Sequence, residues 1–318
     1  MIVGYGSIGK RHDEVLSSFG YDIDIVSKQI LNDRVVYKNL EDIQTLDEYD
    51  YFVISSETNK HYAQLKYLES KISNKIIFCE KPLYESYKSL DIKNNEIYVG
   101  YVLRFHSLLE KLKIFLANDT ILSINVNCGQ YLPTWRSNRD YRDSYSAKKD
   151  TGGGVLLDLS HEIDYLQWLC GKINDIKSYQ VKISDLEIDS DDFTTFIGKT
   201  INGVVVNLSV DYISKITYRK IILHTLKYTY DLNFINNKLL RKDKKGFEEL
   251  FVSDDLERNS MFEKMHKSIL SNKINACTYD EALDVMKTIT TIQGQNKGVM
   301  FYVLSVLEVE VKVLKTKI

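Results

Sequence analysis

The chain has 318 residues, which is enough for about two domains that each bury a core of their own. Hydrophobic residues make up 44% and charged residues 27%, as in ordinary soluble globular proteins. A net charge of −2 gives no electrostatic reason to expect nucleic acid or an anionic membrane as a partner, and no apolar run has the length of a membrane span.

The four cysteines (Cys79, Cys128, Cys170 and Cys277) lie far apart in the sequence, and no two of them form a C-x-x-C pair. This spacing predicts neither a metal site nor a disulfide framework. No signal peptide opens the sequence, so we expect a cytoplasmic protein.

A glycine-rich turn stands close to the first residue. The apolar pair I-V precedes the pattern Gly4-x-Gly6-x-x-Gly9, and a helical pattern follows over residues 10–19. A strand, a glycine turn and a helix in this order form the dinucleotide-binding fingerprint, in which the helix N-terminus faces the phosphates. The same pattern also occurs without a ligand. Three residues before Gly4 are few for a central strand, which leaves open whether the natural start lies upstream.

Strand and helix patterns then alternate. Strands are predicted over residues 22–27, 35–37, 51–55, 75–79 and 97–102, and helices over residues 40–46 and 60–71. Such repeats predict a parallel sheet that binds ligands at the carboxyl ends of its strands. The candidates for cofactor binding are Gly4, Gly6, Ser7, Ile8, Gly9, Ser27, Lys28, Ser55, Thr58, His61, Glu80 and Lys81.

The second half of the chain has a different pattern, because strands follow one another with few helices between them. After a helix over residues 107–116, strands are predicted over residues 121–131, 173–184, 193–200, 204–211, 218–223 and 228–234. Helices follow near residues 258–271 and 280–293, and Thr278 with Glu281 matches a capping box.

We therefore predict an α/β fold followed by an α+β fold. Residues 1–104 form an N-terminal Rossmann domain with a parallel sheet. Residues 105–298 form a C-terminal, mostly antiparallel sheet domain, whose last helix packs back on the first domain.

Two stretches carry candidate catalytic groups. The first, F-C-E-K-P-L, places Lys81 at the end of a buried strand, either as a solvated loop lysine or as a cation beside a substrate oxygen. The second, a triple glycine at residues 152–154, leads into a predicted helix on which Asp158 and His161 face one pocket. This histidine is either a proton-transfer group or a half-buried side chain whose ring nitrogens are hydrogen-bonded within the protein.

Together the motifs G-Y-G-S-I-G-K-R-H, E-K-P, G-Y-V-L-R-F and G-G-G-V-L-L-D-L-S-H-E-I-D-Y resemble the Gfo/Idh/MocA family of sugar oxidoreductases, over roughly residues 1–297. The resemblance implies an active site between a Rossmann domain and an open, mostly antiparallel sheet domain over residues 105–298, which serves substrate binding and oligomerisation. It also implies that Lys81 contacts substrate, that His161 is the acid/base and that Asp158 is its carboxylate neighbour. In much of the family that aspartate stands four residues before the histidine, whereas here it stands three before.

The chemistry implied by the resemblance is hydride transfer between nicotinamide and a sugar carbon. The cofactor is NAD(P), and Ser27-Lys28 at the end of the second strand favours NADP, because a hydroxyl and a cation suit a 2′-phosphate. Asp24, three residues before Ser27, argues weakly for NAD.

Five residues are candidates for substrate binding: Arg104, Trp135, Arg136, Arg142 and Asp164. The stretch over residues 135–149 carries arginines at positions 136, 139 and 142 among aromatic residues. It is either a lid that grips a carboxylate or phosphate, or a solvated loop whose arginines are compensated by Asp140 and Asp143.

The tail over residues 299–318 does not fit the predicted fold. Read in another frame with free third bases, its codons permit A-R-G-G-S-K-G-I-K-N-K-N, which resembles the start of a CMP-acylneuraminate synthetase. We therefore expect an overlapping or frame-shifted gene for activation of a nonulosonic (sialic-like) acid. The coding DNA tests this, because absence of that open frame excludes it.

The sequence thus predicts an NAD(P)-dependent sugar dehydrogenase or reductase that acts on a sugar or nucleotide sugar, in nonulosonic-acid or surface-glycan synthesis. We expect a homo-oligomer, dimer or tetramer, with no nucleic-acid or membrane partner. Two alternatives stay open: a non-catalytic dinucleotide-binding sensor or scaffold, and a redox-neutral enzyme that uses tightly bound NAD.

Overall fold

A largely parallel sheet forms the first part of the computed structural model, which describes residues 1–136, 140–253 and 257–296. Its strands are β1 (Ile2–Val3), β2 (Ile25–Val26), β3 (Val36–Tyr37), β4 (Tyr51–Ile54), β5 (Ile76–Cys79) and β6 (Glu96–Val99). They run parallel in the spatial order β6-β5-β4-β1-β2-β3, which is the Rossmann order.

Helices α1 (Ser7–Ser18) and α2 (Thr58–Lys71) follow β1 and β4. The central strands are apolar on both faces; Phe52, Val53 and Ile54 of β4 are fully buried, as expected where helices cover both sides of a parallel sheet. The alternating β-α pattern therefore predicted this sheet correctly.

The helix predicted over residues 40–46 is wrong. The chain forms two short 3₁₀ turns there, Leu40–Asp42 and Leu46–Glu48. Buried Leu40, Ile43 and Leu46 are spaced by three residues, which matches the period of a 3₁₀ turn rather than that of an α-helix.

The second sheet is open and mostly antiparallel. Helix α3 (Ser107–Leu116) precedes β7 (Ile121–Gly129), and α4 (Val155–Asp158) and α5 (His161–Cys170) come before the remaining strands. These strands are β8 (Ile173–Val181), β9 (Phe193–Thr200), β10 (Val205–Asp211), β11 (Tyr218–Thr225), β12 (Tyr228–Asn233), β13 (Lys238–Asp243) and β14 (Glu248–Val252). The spatial order is β14-β13-β12-β11-β7-β10-β9-β8, with β7 and β10 as a parallel pair.

Strands β13 and β14 have no counterpart among the predicted strands. Their segments are rich in lysine and glutamate, and charged pairs such as Arg241–Glu249 and Lys242–Glu248 lie across the hairpin. Charged side chains are common on strands at the edge of a sheet, and they hide the alternation that would identify such strands. Only Leu239 is fully buried there.

The C-terminal segment returns to the first sheet. Helix α6 (Ser260–Ile269) packs on α1, and β15 (Cys277–Thr278) pairs antiparallel with β6. Helix α7 (Tyr279–Asn296) contacts β8 as well as β6, so part of the range 105–298 lies on the first sheet. The predicted capping box is present, since the Thr278 N–H donates to Glu281 Oε2 (2.9 Å) and the Glu281 N–H to Thr278 Oγ1 (3.3 Å).

The predicted fold class is therefore confirmed: a Rossmann sheet precedes an open, mostly antiparallel sheet. Among the described helices, none combines the length and apolar character that crossing a membrane would require. The predicted tail over residues 299–318 lies outside the described residues.

A buried ion pair joins the two parts of the chain. Arg104, just after β6, donates from Nε and Nη2 to the Asp164 carboxylate of α5, at 3.0 and 2.7 Å. Its Nη1 reaches Glu281 of α7 at 3.1 Å. Burial raises the pKa of Asp164, and the Arg104 charge opposes that change. The pair therefore fixes α5 and α7 against the end of the first sheet.

We predict that Arg104→Met lowers the free energy of unfolding by about 3–5 kcal/mol, because it leaves the Asp164 carboxylate buried without its partner. Urea denaturation measures the loss. Arg142→Met is the matched control: Arg142 bonds Asp140 at the surface, so its removal should leave the denaturation midpoint nearly unchanged. Equal midpoints for the two variants would contradict a structural role for the buried pair.

Candidate functional site

The glycine turn lies at the carboxyl end of the first sheet and is tightly packed. Gly4 has a φ of 96°, and a Cβ there would lie 2.5 Å from the backbone nitrogen of Ser56. A Cβ at Gly9 would lie 2.2 Å from the carbonyl oxygen of Gly4. The Ser55 hydroxyl donates to that same oxygen at 2.8 Å. Gly4 and Gly9 therefore permit the turn itself, and Ser55 holds it in place.

The N-terminus of α1 beside this turn can receive an anion. Gly6 caps the helix without a side-chain hydrogen bond, and the first turn holds no acidic residue. A Cβ at Gly6 would meet no atom within 4 Å, so the space in front of the backbone is open. Free N–H groups and the positive end of the helix dipole favour phosphate there. The site fits a dinucleotide pyrophosphate, and the predicted roles of Gly6, Ser7 and Ile8 remain predictions.

Lys81 lies at the same end of the sheet, directly after β5 and Glu80. Strand β4 separates β5 from β1, so Lys81 and the glycine turn are about 10 Å apart in the sheet direction. The Lys81 ammonium donates to the backbone carbonyl oxygen of Asp158 at 2.7 Å. This bond places the cation between the first sheet and α4.

The Asp158 carboxylate has a different position from the one predicted. It accepts a 2.5 Å hydrogen bond from the Tyr212 hydroxyl, and the Tyr145 hydroxyl also bonds to it. Helix α4 ends at Asp158 and α5 begins at His161, so the two residues do not share one helical face. The predicted single helix is therefore wrong, because two helices with a break between them stand in its place, and the proposed catalytic role of Asp158 stays a prediction.

His161 lies close to two cations. The pKa of His161 is lowered well below 6.5. Burial is the largest cause, and the charges of Lys81 and Arg219 add to it. Its ring packs edge-on against Tyr101, with centroids 5.7 Å apart. Among the described residues, no group hydrogen-bonds to its buried Nδ1. The imidazole is therefore neutral at pH 7 and has one nitrogen without a protein partner.

Three predicted cofactor ligands instead bind protein groups through their side chains. Ser55 bonds the glycine turn, as described above. The Glu80 carboxylate accepts from His12 Nε2 at 2.9 Å and from the Lys81 N–H at 3.1 Å. His61 is buried, with Nδ1 and Nε2 within 3.1–3.2 Å of backbone carbonyl oxygens of the adjoining loops. These bonds hold the three side chains in place beside the carboxyl end of the sheet, and their contact with a cofactor stays a prediction.

The residues after β2 are free for a ligand. Lys28 is exposed, and the Ser27 hydroxyl accepts a hydrogen bond from the Gln29 N–H at 3.1 Å. Asp24 lies at the opposite end of β2, where its carboxylate accepts from the Tyr49 hydroxyl at 2.5 Å. Asp24 therefore cannot reach a ribose bound at the carboxyl end. Thr58, another predicted cofactor ligand, begins α2 at the carboxyl end of the sheet.

The predicted substrate-binding residues divide into two groups. Arg104 and Asp164 are 2% and 1% exposed and neutralise each other, so a substrate contact through either is corrected to a structural role. Trp135 and Arg136 line a narrow cleft in the long loop after β7, and the Trp135 ring packs edge-on against Tyr212 with centroids 5.1 Å apart.

The predicted arginine lid is only partly described. Arg142 binds Asp140 through Nε and Nη2 and reaches Glu187 at the surface. This pairing is the self-compensated arrangement that the solvated-loop alternative predicts. Arg139 lies outside the described residues.

Several site residues were not found in the sequence. Tyr212 follows β10, and no local motif distinguishes it. Arg219 donates to the fully buried Glu162 at 2.7 Å. A signal for Arg219 did exist: it stands two residues before Ile221 on the inward-facing side of β11, where an unpaired cation would be costly.

Together these features define a class of protein: a Rossmann domain and an open sheet domain, with Lys81 and His161 at their junction. Residues 119–228 match the model of the GFO/IDH/MocA C-terminal domain. The resemblance to the Gfo/Idh/MocA family, which the motifs predicted, is confirmed. No curated protein matches the chain in sequence.

Solved structures share the fold at low sequence identity. Levoglucosan dehydrogenase in complex with NADH is 14% identical, with a TM-score of 0.79 over 93% of this chain and 96% of that one. UDP-N-acetylglucosamine 3-dehydrogenase GnnA from Acidithiobacillus ferrooxidans is 15% identical, with a TM-score of 0.76 over 93% and 97%. A super-repressor mutant of Gal80p from Saccharomyces cerevisiae is 16% identical, with a TM-score of 0.77 over 93% and 95%.

We predict that the lowered pKa of His161 makes folding pH-dependent. Below about pH 6.5 the unfolded histidine takes up a proton that the folded one does not, so this residue destabilises the fold as the pH falls. Urea denaturation between pH 7.5 and 5.5 should show His161→Gln gaining stability relative to wild type, by up to about 1.4 kcal/mol per pH unit. Parallel curves for the two proteins would show that His161 titrates normally.

Proposed function

We propose that the protein is an NAD(P)-dependent oxidoreductase that transfers a hydride between nicotinamide and a hydroxyl-bearing carbon of a sugar or nucleotide sugar. One observation carries this proposal: a neutral histidine with a free buried nitrogen lies beside a positioned lysine, at the carboxyl end of a sheet that also carries an open glycine turn. When bound, the nicotinamide supplies the hydride chemistry, and the protein supplies orientation and proton transfer.

His161 is the proposed proton acceptor for sugar oxidation. An imidazole that stays uncharged at pH 7 can take the hydroxyl proton as the carbon loses its hydride, and it returns that proton in the reverse direction. The lowered pKa suits the base role, because a protonated ring would have no acceptor nitrogen. Among the described residues, no protein group competes for Nδ1.

Lys81 is the proposed electrostatic partner. Its ammonium is held at the Asp158 carbonyl by one hydrogen bond, which leaves further donor capacity for a substrate oxygen. A cation at that point stabilises the negative charge that develops on the oxygen as the proton leaves. Because Lys81 also disfavours the protonated form of His161, the two residues act as a coupled pair.

The fold neighbours support the substrate class. Levoglucosan dehydrogenase and UDP-N-acetylglucosamine 3-dehydrogenase are named for a sugar and a nucleotide sugar, and the first is a complex with NADH. The proposed place in nonulosonic-acid or surface-glycan synthesis depends on the alternative reading frame of residues 299–318. No contact in the described structure bears on it. A screen of nucleotide sugars and free amino sugars, followed at the NAD(P)H absorbance, tests the proposed reaction.

We predict that Lys81→Ala and His161→Ala each lower kcat by about 100-fold or more on whichever sugar the wild-type protein oxidises. Binding of NADPH, measured by its fluorescence, should be retained, because the glycine turn and α1 are untouched. Lys66→Ala, on the exposed face of α2, is the control and should match wild type. Turnover that survives both changes in the site would contradict the assigned roles.

We also propose that NADP is the preferred cofactor. The carboxyl end of β2 offers a hydroxyl and an exposed ammonium, Ser27 and Lys28, where NAD enzymes place a carboxylate for the ribose 2′-hydroxyl. Asp24, the one acidic residue that argued for NAD, lies at the other end of the strand with Tyr49.

We predict that Lys28→Asp weakens NADPH binding about tenfold or more, because it replaces a charge-assisted bond to the 2′-phosphate by repulsion. NADH binding should be unchanged or tighter, and fluorescence titration measures both. Lys66→Asp is the control for the general loss of positive charge. An equal effect of Lys28→Asp on the two cofactors would contradict a 2′-phosphate contact.

A non-catalytic dinucleotide sensor is the second candidate function. The likeness to Gal80p, which is named as a repressor, shows that this fold also occurs in a regulatory protein. Retained NADPH binding with no turnover across the sugar panel would favour the sensor. A nicotinamide cofactor that copurifies and never exchanges would instead favour a redox-neutral enzyme.

A further inference from the structure

A continuous row of polar side chains crosses the interior between α1, α6 and the first sheet. The Tyr51 hydroxyl is 2.9 Å from His266 Nδ1, and His266 Nε2 is 2.8 Å from His12 Nδ1. His12 Nε2 is 2.9 Å from Glu80 Oε1. Both histidines are fully buried, and 254 residues separate them in the chain. We call this row the histidine relay.

The surroundings of the relay are apolar. The His12 ring packs against Phe78 and Phe262, with centroids at 5.0 and 5.6 Å. Buried polar groups in such a layer are costly unless every donor and acceptor is paired. Gly100 also fits this arrangement, because a Cβ there would approach Glu80 Oε1 to 3.0 Å and press on the carboxylate.

With Glu80 as a carboxylate, which can only accept, His12 donates from Nε2 in every arrangement of protons that satisfies the relay. Two such arrangements exist. His266 either donates from Nε2 to a bare His12 Nδ1 and accepts the Tyr51 hydroxyl proton at Nδ1, or it accepts from a doubly protonated His12 and donates from Nδ1 to the Tyr51 oxygen. Burial and the neighbouring His12 lower the pKa of His266 well below 6.5, and a neutral His266 is paired at both ring nitrogens in either arrangement.

The relay ends at the proposed catalytic lysine. Glu80 Oε2 accepts from the backbone N–H of Lys81 at 3.1 Å, while Oε1 is held by His12. The orientation of the carboxylate therefore depends on the position of the His12 ring, which is held on its other side by the bond to His266 Nε2. Each step is a direct hydrogen bond between described atoms.

We propose that His266 is a positioning residue, which holds the His12 ring in place so that Glu80 holds the Lys81 backbone in its working position. The inference rests on the proposed function, since it assigns His266 a role through the catalytic lysine. Helix α6 comes from the far end of the chain, so the site is complete only when that segment has packed on α1.

The test compares two substitutions of His266. His266→Gln keeps a hydrogen-bonding group for His12 Nδ1 and should retain most of the wild-type kcat. His266→Leu removes that group and should lower kcat about tenfold, because misplacement of a catalytic group by about an ångström already slows a reaction. The Kd for NADPH, measured by fluorescence, should stay the same in both variants.

Phe262→Leu is the matched control on the same helix. It loosens the packing of α6 on His12 but leaves every bond of the relay intact, so it should lower the melting temperature without lowering kcat. Equal loss of kcat in Phe262→Leu and His266→Leu would overturn the inference, because packing alone would then explain both.

Nitrogen NMR of the histidine rings tests the histidine relay without an activity measurement. In the wild-type protein a scalar coupling across one shared proton should join His12 Nδ1 to His266 Nε2, and His12 Nε2 should carry a proton bonded to Glu80. Absence of either signal would overturn the inference. If the wild-type protein oxidises no sugar, the proposed function fails by itself, and this coupling still accepts or rejects the relay.

Discussion

The hydrogen bond from the Lys81 ammonium to the Asp158 carbonyl is the contact on which the site depends. It crosses from the carboxyl end of the first sheet to the helix that follows the triple glycine, so it joins both halves of the chain at one point. A lysine placed only by its own loop would be free to point into solvent. Here the Asp158 carbonyl uses one donor, and the charge of the tethered ammonium acts on the nearby His161.

This contact also explains the neutral histidine. His161 lies near Lys81 and Arg219, and burial by the surrounding groups makes a third positive charge there unfavourable. Arg219 is in turn balanced by Glu162, which bonds it at 2.7 Å. The site therefore carries two balanced or tethered cations and one base without a charge. This distribution suits stabilisation of a developing oxyanion.

Much of the fold could be predicted because local rules decide it. The glycine turn, the buried parallel strands and the position of Lys81 just after strand β5 follow from periodicity and from the small size of glycine. The residues that sequence reasoning placed incorrectly depend on partners far along the chain. Arg104 reads as a possible substrate ligand until Asp164, 60 residues later, is seen to neutralise it.

The same reasoning accounts for the errors around Asp158. A spacing of three residues predicts a shared face only on a continuous helix, and the break after α4 removes that condition. The carboxylate is then free to bind Tyr212 from a strand of the second sheet. No pattern within residues 152–165 contains this information, because the decisive partner lies on another element.

A shared fold does not by itself separate an oxidoreductase from a dinucleotide sensor, because both need the glycine turn and the open helix N-terminus. The two differ in proton transfer, which an oxidoreductase must carry out and a sensor need not. A sensor gains nothing from a buried imidazole kept neutral by adjacent cations, and leaving its Nδ1 without a protein partner costs stability. Such a cost is retained where a substrate supplies the missing partner during turnover, so the unsatisfied nitrogen of His161 argues for catalysis.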